Sequence, residues 1–363
     1  MANIISIATA VPDYCHRQKD ILLFMQQAYN LDATDRRKLA FMYNFSGIEN
    51  RYSVLKDFSQ PPQQWQFINI ESNEYTLLDK RLELYKQHAL PLSLKVAQRC
   101  LAKAAGGGVT VTHLITVSCT GMSAPGLDLE LVEALQLSPN VFRTSVNFMG
   151  CYAGVHALKL GKMICDTDAR ANVLIVATEL CTLHFQQEYT PDNAASSLLF
   201  ADGSAAILMS NNQLYAPIVT ITNFHSAIAF KGIKDMAWEI SSKGFLMTLS
   251  GYVPQLIEED ITALVNEALQ QSNITKEEVG YWCIHPGGRK IVDTIQKQLG
   301  LHDCDTHPAR EVLRKYGNMS SATIFFVLDE ICHQAKQQNK PSRTLGVAFG
   351  PGLTMETFTA DIA

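Results

Sequence analysis

The chain has 363 residues, of which 47% are hydrophobic and 18% charged, and its formal net charge is −5. That length exceeds a single hydrophobic core and predicts two domains or one large double unit, and the charge balance excludes a general nucleic-acid binder. No apolar run is long enough to span a bilayer. Residues 1–8 lack the basic and apolar regions of a signal peptide. Nine cysteines without a C-x-x-C pair argue against a zinc site or a disulfide framework and for a reducing, cytoplasmic compartment.

In chain order, residues 4–10 read as a strand that ends at Pro12. Residues 19–45 read as mostly helical, with a basic cluster at Arg36, Arg37 and Lys38. Residues 56–75, rich in Gln, Pro, Asn and Ser, read as an irregular excursion. From about Pro91, residues Leu94, Ala97, Leu101 and Ala104 mark one helical face, which Gly106, Gly107 and Gly108 stop. Residues 113–119 form a buried strand, 120–126 a loop and 127–135 a helix. Val146 and Phe148 alternate with polar residues, as in a short strand. Val155, Leu158, Lys162 and Met163 then recur at helical spacing, which places Cys151 at a helix N-terminus, where free N–H groups favour a thiolate. Gly150 allows a tight turn before it, and Ala153 and Gly154 allow close packing. Residues 172–178, apolar nearly throughout, suit a parallel sheet. Phe200 leads into a strand at 205–209, and the turn at Asn211 and Asn212 divides the chain into halves 1–212 and 213–363.

The second half repeats the plan of the first. A strand at 217–222 precedes an amphipathic helix marked by Ile257, Ile261, Leu264, Val265 and Leu269. A strand at 281–284 ends in His285. A helix over 289–299 is closed by Gly300, a further helix covers 322–335, and strands 344–349 and 354–359 form a terminal hairpin. His285 and Asn318 each stand at the end of a predicted element. Alone, such a His is more often structural, and such an Asn is more often a helix cap. Together with Cys151 they fit one chemistry: a nucleophile, and two N–H donors able to meet at one oxygen.

The stretches Gly150-Cys151, Ile284-His-Pro-Gly-Gly288, Tyr316-Gly-Asn-Met-Ser-Ser-Ala322 and Phe349-Gly-Pro-Gly-Leu-Thr-Met-Glu-Thr357 together resemble the type III polyketide synthases, the chalcone synthase-like enzymes. The resemblance runs from about residue 3 to the C-terminus. It implies an α/β chain with the duplicated thiolase fold, a five-layer α-β-α-β-α arrangement and a homodimer. Acyl-CoA starters and malonyl-CoA extenders are the implied substrates, with no separate cofactor, metal, nucleic acid or membrane partner. By motif, Cys151 holds the acyl chain, while His285 and Asn318 hold the malonyl thioester carbonyl. Phe200 and Met247 fall at gatekeeping positions. Cys119, His184 and Ser320 fall at cavity-lining positions, and Gly350 belongs to the C-terminal signature. His184 is bulkier than the residues often found at its plant counterpart, which implies a short polyketide. Of the basic trio that holds CoA phosphates in plant members, only Lys38 is matched; Phe41 and Phe45 stand at the other two places. Arg289 and Lys290, at a helix N-terminus, are the expected replacements. Ala124 matches a Met that crosses the plant dimer, and residues 122–126 and 147–151 have a bacterial look. Two other readings stand beside this one: a ketoacyl synthase of the fatty-acid initiation type acting on acyl carrier protein, and a non-catalytic thiolase-fold partner subunit.

Overall fold

The structure is a computed structural model that describes residues 2–68, 75–104 and 108–363. Gly106 and Gly107, expected to stop a helix, and part of the predicted excursion at 56–75 lie outside the described residues.

The first half comprises β1 (Asn3–Ala10), β2 (Tyr14–Arg17), α1 (Gln18–Ala28), α2 (Ala33–Asn44), β3 (Asn50–Ser53), α3 (Leu78–Lys103), β4 (His113–Ser118), α4 (Leu127–Ala134), β5 (Phe142–Asn147), α5 (Ala153–Thr167), β6 (Asn172–Leu180), α6 (Pro191–Leu199) and β7 (Asp202–Ser210). The second comprises β8 (Val219–Ile228), β9 (Met236–Ser241), β10 (Gly244–Leu249), α7 (Val253–Gln271), β11 (Val279–Ile284), α8 (Arg289–Leu299), α9 (Asp303–Tyr316), α10 (Thr323–Gln338), β12 (Ser342–Gly350) and β13 (Thr354–Ile362).

Nine strands form one sheet in the order β11-β12-β13-β8-β1-β7-β6-β4-β5. Its two halves repeat one pattern. In the first, β4 pairs parallel with β6, β6 antiparallel with β7, and β7 antiparallel with β1. In the second, β11 pairs parallel with β12, β12 antiparallel with β13, and β13 antiparallel with β8. The halves join where Asn3 and Ile4 face Thr220 and Val219. The strand β5 extends the first half only, parallel to β4.

Three apolar clusters separate the layers. In the middle one, α5 and α10 pack between the half-sheets through Val155, Leu158, Ile324, Phe325 and Leu328, against Ile175, Ile207, Phe358 and Ala360. On the outer face of the first half-sheet, α3 presents Val96, Ala97 and Cys100 to Leu174, Val176 and Leu208. On the outer face of the second, α7 and α8 present Ile257, Ile261, Leu264, Ile291 and Ile295 to Trp282, Leu345 and Val347. The result is the expected α-β-α-β-α layering.

Several boundaries differ from expectation for local reasons. The helix α3 begins at Leu78 and carries Pro91 inside it, because Arg81, Tyr85 and Ala89 extend the buried face ahead of the proline and Leu92 continues it beyond. Residues 19–45 break into two helices where Asp32 caps α2, accepting from the N–H groups of Thr34 and Asp35. The strand before Cys151 stops at Asn147, since Phe148 turns to φ +60°. The strand expected at 217–222 runs from Val219 to Ile228. Among the described residues, no helix is long and apolar enough to cross a membrane.

Candidate active site

The middle-layer helices bring the site together. Cys151 directly precedes α5, and Asn318 lies just before α10; these helices occupy matching places in the two halves. His285 follows β11, with its backbone N–H donating to the Val347 carbonyl at 2.9 Å. Cys151, His285 and Asn318 line one pocket of about 630 Å³, open to solvent, together with Cys119, Ser320, Phe200 and Met247.

Two glycines let the terminal turn press against the nucleophile. At Gly150 φ is +88°, and a Cβ there would lie 2.1 Å from Cδ of Pro351. A Cβ at Gly350 would lie 2.6 Å from the Tyr152 ring and 3.3 Å from the Cys151 nitrogen. Any larger residue at either position would push Cys151 off its place. The Gly150 N–H also donates to the Cys119 sulfur at 2.9 Å, so the pocket's second thiol braces the same turn.

The hydrogen-bond network orients Asn318. Its Oδ1 accepts from the Ser320 N–H at 2.8 Å and from the Thr323 hydroxyl at 3.3 Å. The two amide hydrogens on Nδ2 are thereby left for the pocket. Its backbone bonds on both sides, to the Leu199 carbonyl and from the Ala201 N–H (2.9 Å each), tie it beside Phe200. The His285 ring is buried, and neither Nδ1 nor Nε2 has a hydrogen-bond partner among the described residues. A buried imidazole with both nitrogens unpaired is costly, and one such group aimed into a reaction pocket points to a ligand that supplies the partner.

The electrostatics run against the thiolate that the helix start alone would favour. Burial pushes the Cys151 thiol up to about 11; contacts with Ser320 and Asn318 pull the other way, and the nearby Glu179 carboxyl adds to the rise. Burial alone pushes His285 down to about 3. Desolvation opposes the helix terminus here and favours the neutral form of both groups.

The remaining expected residues are distributed as follows. His184 does not line this pocket but an adjoining one of about 440 Å³, which shares Cys181, Phe200, Trp238 and Met247 with it. Its ring lies 4.1 Å from that of Phe245 in a parallel stack; Nε2 donates to the Thr120 carbonyl at 2.7 Å, and Nδ1 accepts from the Phe245 N–H at 3.1 Å. Arg289 and Lys290 open α8 and are exposed. They sit at the rim, flanked by Gly287 and Ile291 of the pocket wall. The Arg289 stem packs on Gly47, where a Cβ would lie 3.5 Å from its Cδ. Lys38 is exposed on α2, paired with Asp35 at 2.9 Å. Gly350 stands behind Cys151 rather than in the lining.

Of one pocket wall, sequence reasoning named only Met247. The β9–β10 hairpin lies outside the main sheet and lines the pocket with Met236, Trp238, Met247 and Leu249, which form the cross-strand pairs Met247–Trp238 and Leu249–Met236. The Trp238 indole N–H holds this hairpin down by donating to the Cys119 carbonyl at 2.8 Å. The signal was present as Met-x-Trp and Met-x-Leu alternation. Glu179 and Cys181, at the end of β6, were also missed.

Residues 1–213 match the N-terminal domain of the chalcone and stilbene synthases, and residues 227–361 match their C-terminal domain. The chain belongs to the chalcone and stilbene synthase family. Among curated relatives, the "Alpha-pyrone synthesis polyketide synthase-like Pks18" of Mycobacterium tuberculosis is 28% identical over 100% of this chain and 91% of its own length. "Probable polyketide synthase 1" of Dictyostelium discoideum is 29% identical over 97% of this chain, which spans only 11% of that much longer protein. Among solved structures, PKS-I from the brown alga Ectocarpus siliculosus superimposes with a TM-score of 0.93 at 28% identity, over 100% of this chain and 98% of that one. The C-terminal type III polyketide synthase domain of Steely1 from Dictyostelium superimposes with a TM-score of 0.91 at 26% identity, over 99% of both chains. This chalcone synthase-like chain thus shares the fold of type III polyketide synthases along its described length.

Proposed function

We propose that this family member condenses malonyl-CoA iteratively onto an acyl-CoA starter held on Cys151, releasing a small polyketide of pyrone, resorcinol or phloroglucinol type. The observation that carries the reading is the convergence of Cys151, the unpaired His285 ring and the Asn318 amide on one pocket. In loading, the Cys151 thiol gives its proton to the His285 imidazole as its sulfur attacks the starter thioester carbonyl; a new C–S bond forms, the old one breaks, and CoA leaves as its thiol, taking that proton from His285. Malonyl-CoA then places its thioester oxygen between the His285 N–H and the Asn318 Nδ2. As the C–CO₂ bond breaks, its electron pair moves onto that oxygen, and the two donors stabilise the enolate. A neutral imidazole suits this task, since it keeps an N–H without needing a charge. The enolate carbon attacks the acyl carbonyl on Cys151, a C–C bond forms, and the Cys151 thiolate leaves for the next round.

In this reading, Phe200 and Met247 gate the pocket, and Cys119 and Ser320 shape its floor. Arg289 and Lys290, with Lys38, attract the CoA phosphates. CoA thioesters are substrates, and the reaction requires no resident cofactor. The two halves, 1–212 and 213–363, contribute Cys151 on one side and His285 and Asn318 on the other. We place the protein in the cytoplasm because all nine cysteines are free. A homodimer is also part of the proposal. The strand β5 lies at the end of the sheet and is exposed along nearly its whole length, with Phe142 70% accessible. An open edge of that kind is managed by pairing or covering.

Incubation with malonyl-CoA and a panel of acyl-CoAs, followed by mass spectrometry, tests the function. Free pyrones or aromatic products support it. Product found only on acyl carrier protein, or no turnover with any starter, overturns it.

A further inference from the structure

Glu179 is fully buried near the end of β6, and no cation pairs with it among the described residues. A carboxyl group in that position is expensive unless its oxygens are fully engaged. They are, and the engagement divides between the two halves of the chain. Oε2 accepts from the Cys119 N–H and from the Thr120 hydroxyl, both at 2.9 Å. Those residues form the turn after β4, and both line the catalytic pocket. Oε1 accepts from the Ser321 hydroxyl, in the turn between Asn318 and α10. Thr120 is tied back in turn, accepting from the Leu180 N–H at 2.9 Å. One carboxyl group therefore fixes the floor beneath Cys151 to the turn that carries Asn318. The other titratable groups facing it are Tyr85 from α3, Cys119 after β4, Cys151 before α5 and Cys181 after β6.

We propose that Glu179 is a positioning residue for the condensation, holding the nucleophile's half of the pocket in register with the half that carries the enolate donors. The inference rests on the polyketide synthase reading above. Glu179 does not touch the reacting atoms; it acts through Cys119, Thr120 and Ser321. Burial holds its proton up to about 7, and its charge opposes a thiolate at Cys151. The group is thus poised to affect the nucleophile as well as the geometry.

The test is Glu179→Gln, which keeps the shape but puts an amide N–H₂ in place of one accepting oxygen; that group can still donate to a hydroxyl, but on either side it also meets a backbone N–H, of Cys119 or of Ser321, so that one half of the clamp weakens. Ser321→Ala opens the second-half side alone. In Glu179→Gln, kcat for polyketide formation should fall about ten- to hundredfold, as for a displacement near 1 Å, with KM within about twofold. Ser321→Ala should show a smaller fall with the same kcat signature. Alkylation of Cys151 by iodoacetamide, which needs no substrate, should show a lower pH midpoint in Glu179→Gln than in the unmodified protein. Unchanged kcat in both variants overturns the proposal, as does a loss carried by KM alone. If Glu179→Gln does not fold, Ser321→Ala decides by the same kcat criterion. A wild-type protein that releases no CO₂ from malonyl-CoA overturns the proposed function instead. The alkylation midpoint then judges Glu179 by itself: a lower midpoint supports its tie to Cys151, and an unchanged one overturns it.

Discussion

The division of labour in the pocket leads to a prediction that three substitutions can separate. Enolate formation needs the donors but not the nucleophile. Cys151→Ala should therefore still release CO₂ from malonyl-CoA while making no polyketide. His285→Ala removes one donor to the developing oxyanion, worth about 2.7–4 kcal/mol, or a 10²–10³-fold fall in decarboxylation. The fold should survive this change. Truncating a buried side chain costs about 2–5 kcal/mol. Against that, the native ring buries two nitrogens without partners, each costing roughly 1–3 kcal/mol, and the variant is relieved of both. The two effects nearly cancel, so Tm should move by only a few degrees. Asn318→Asp is the cleaner partner variant, because it keeps an oxygen for the Ser320 N–H and the Thr323 hydroxyl while turning the pocket-facing donor into an acceptor. It should lose decarboxylation by a similar factor. Release of CO₂ from malonyl-CoA, followed by radiometry or by chromatography of acetyl-CoA, reads all three. An equal loss in Cys151→Ala, His285→Ala and Asn318→Asp would refute the assignment of roles.

Four further outcomes follow from particular contacts. Gly150→Ala must place a methyl 2.1 Å from Pro351 Cδ at φ +88°, so condensation should drop by at least tenfold and Tm should fall by several degrees; wild-type turnover would show that the turn is not held this tightly. The folded state holds the Glu179 proton up to about 7, so its stabilising contribution is full below the usual carboxylate range and is lost as pH rises through about 7; denaturant titrations should show Glu179→Gln gaining on wild type by about 1.4 kcal/mol per pH unit across that window, and a constant difference would count against it. His184→Gly removes a stacked ring bonded at both nitrogens, so it should lower Tm while enlarging the adjoining pocket and admitting longer starters; an unchanged starter range in a folded variant would show that the ring does not limit that space. Arg289→Ala with Lys290→Ala should raise KM for malonyl-CoA, leave kcat nearly intact and flatten the dependence of KM on ionic strength, and a wild-type KM at low salt would place phosphate binding elsewhere.

How much of this was legible in the sequence depended on whether an element buries one clear face. The helix α8 was read to the residue, because Ile291, Val292, Ile295 and Leu299 form one stripe and Gly300 closes it at φ +58°. The strand β6 was equally plain as a continuous apolar run, but the one charged residue in it, Glu179, was passed over although its company was the signal. Less legible was α9, whose Pro308 sits inside a helix with four charged residues near its ends, so propensity and pattern pointed away from it. The helix α6 carried a readable start, Thr190 accepting from the Asn193 N–H with Pro191 at the first position, yet its small residues gave little periodicity. The β9–β10 hairpin was missed because a two-stranded ribbon outside the main sheet has only half-buried strands. Cys151, His285 and Asn318 were legible as element ends; the effect of burial on the Cys151 thiol and the His285 ring was not, since burial is a property of the assembled pocket.

The backbone shows why the chemistry sits at this junction. Seven described residues other than glycine adopt positive φ. Asn30, Gln136, Asn273 and Asn339 do so just beyond the ends of α1, α4, α7 and α10, where a left-handed residue is the ordinary way to close a helix. The other three are Phe148 at +60°, Ser320 at +47° and Leu353 at +48°. For such residues the conformation costs roughly 1–2 kcal/mol apiece. All three lie in the turns that present Cys151, Asn318 and the terminal Gly350-Pro-Gly352 segment. The duplicated fold supplies the starts of α5 and α10 in the middle layer, and Cys151 and Asn318 ahead of them line one pocket. The positive-φ turns lie beside that pocket, and the close glycine contacts at Gly150 and Gly350, together with the buried hydrogen bonds around Glu179, hold it in place. Stability is concentrated in the three apolar clusters and is given up in those three turns, as a site that must preorganise two donors and a nucleophile requires.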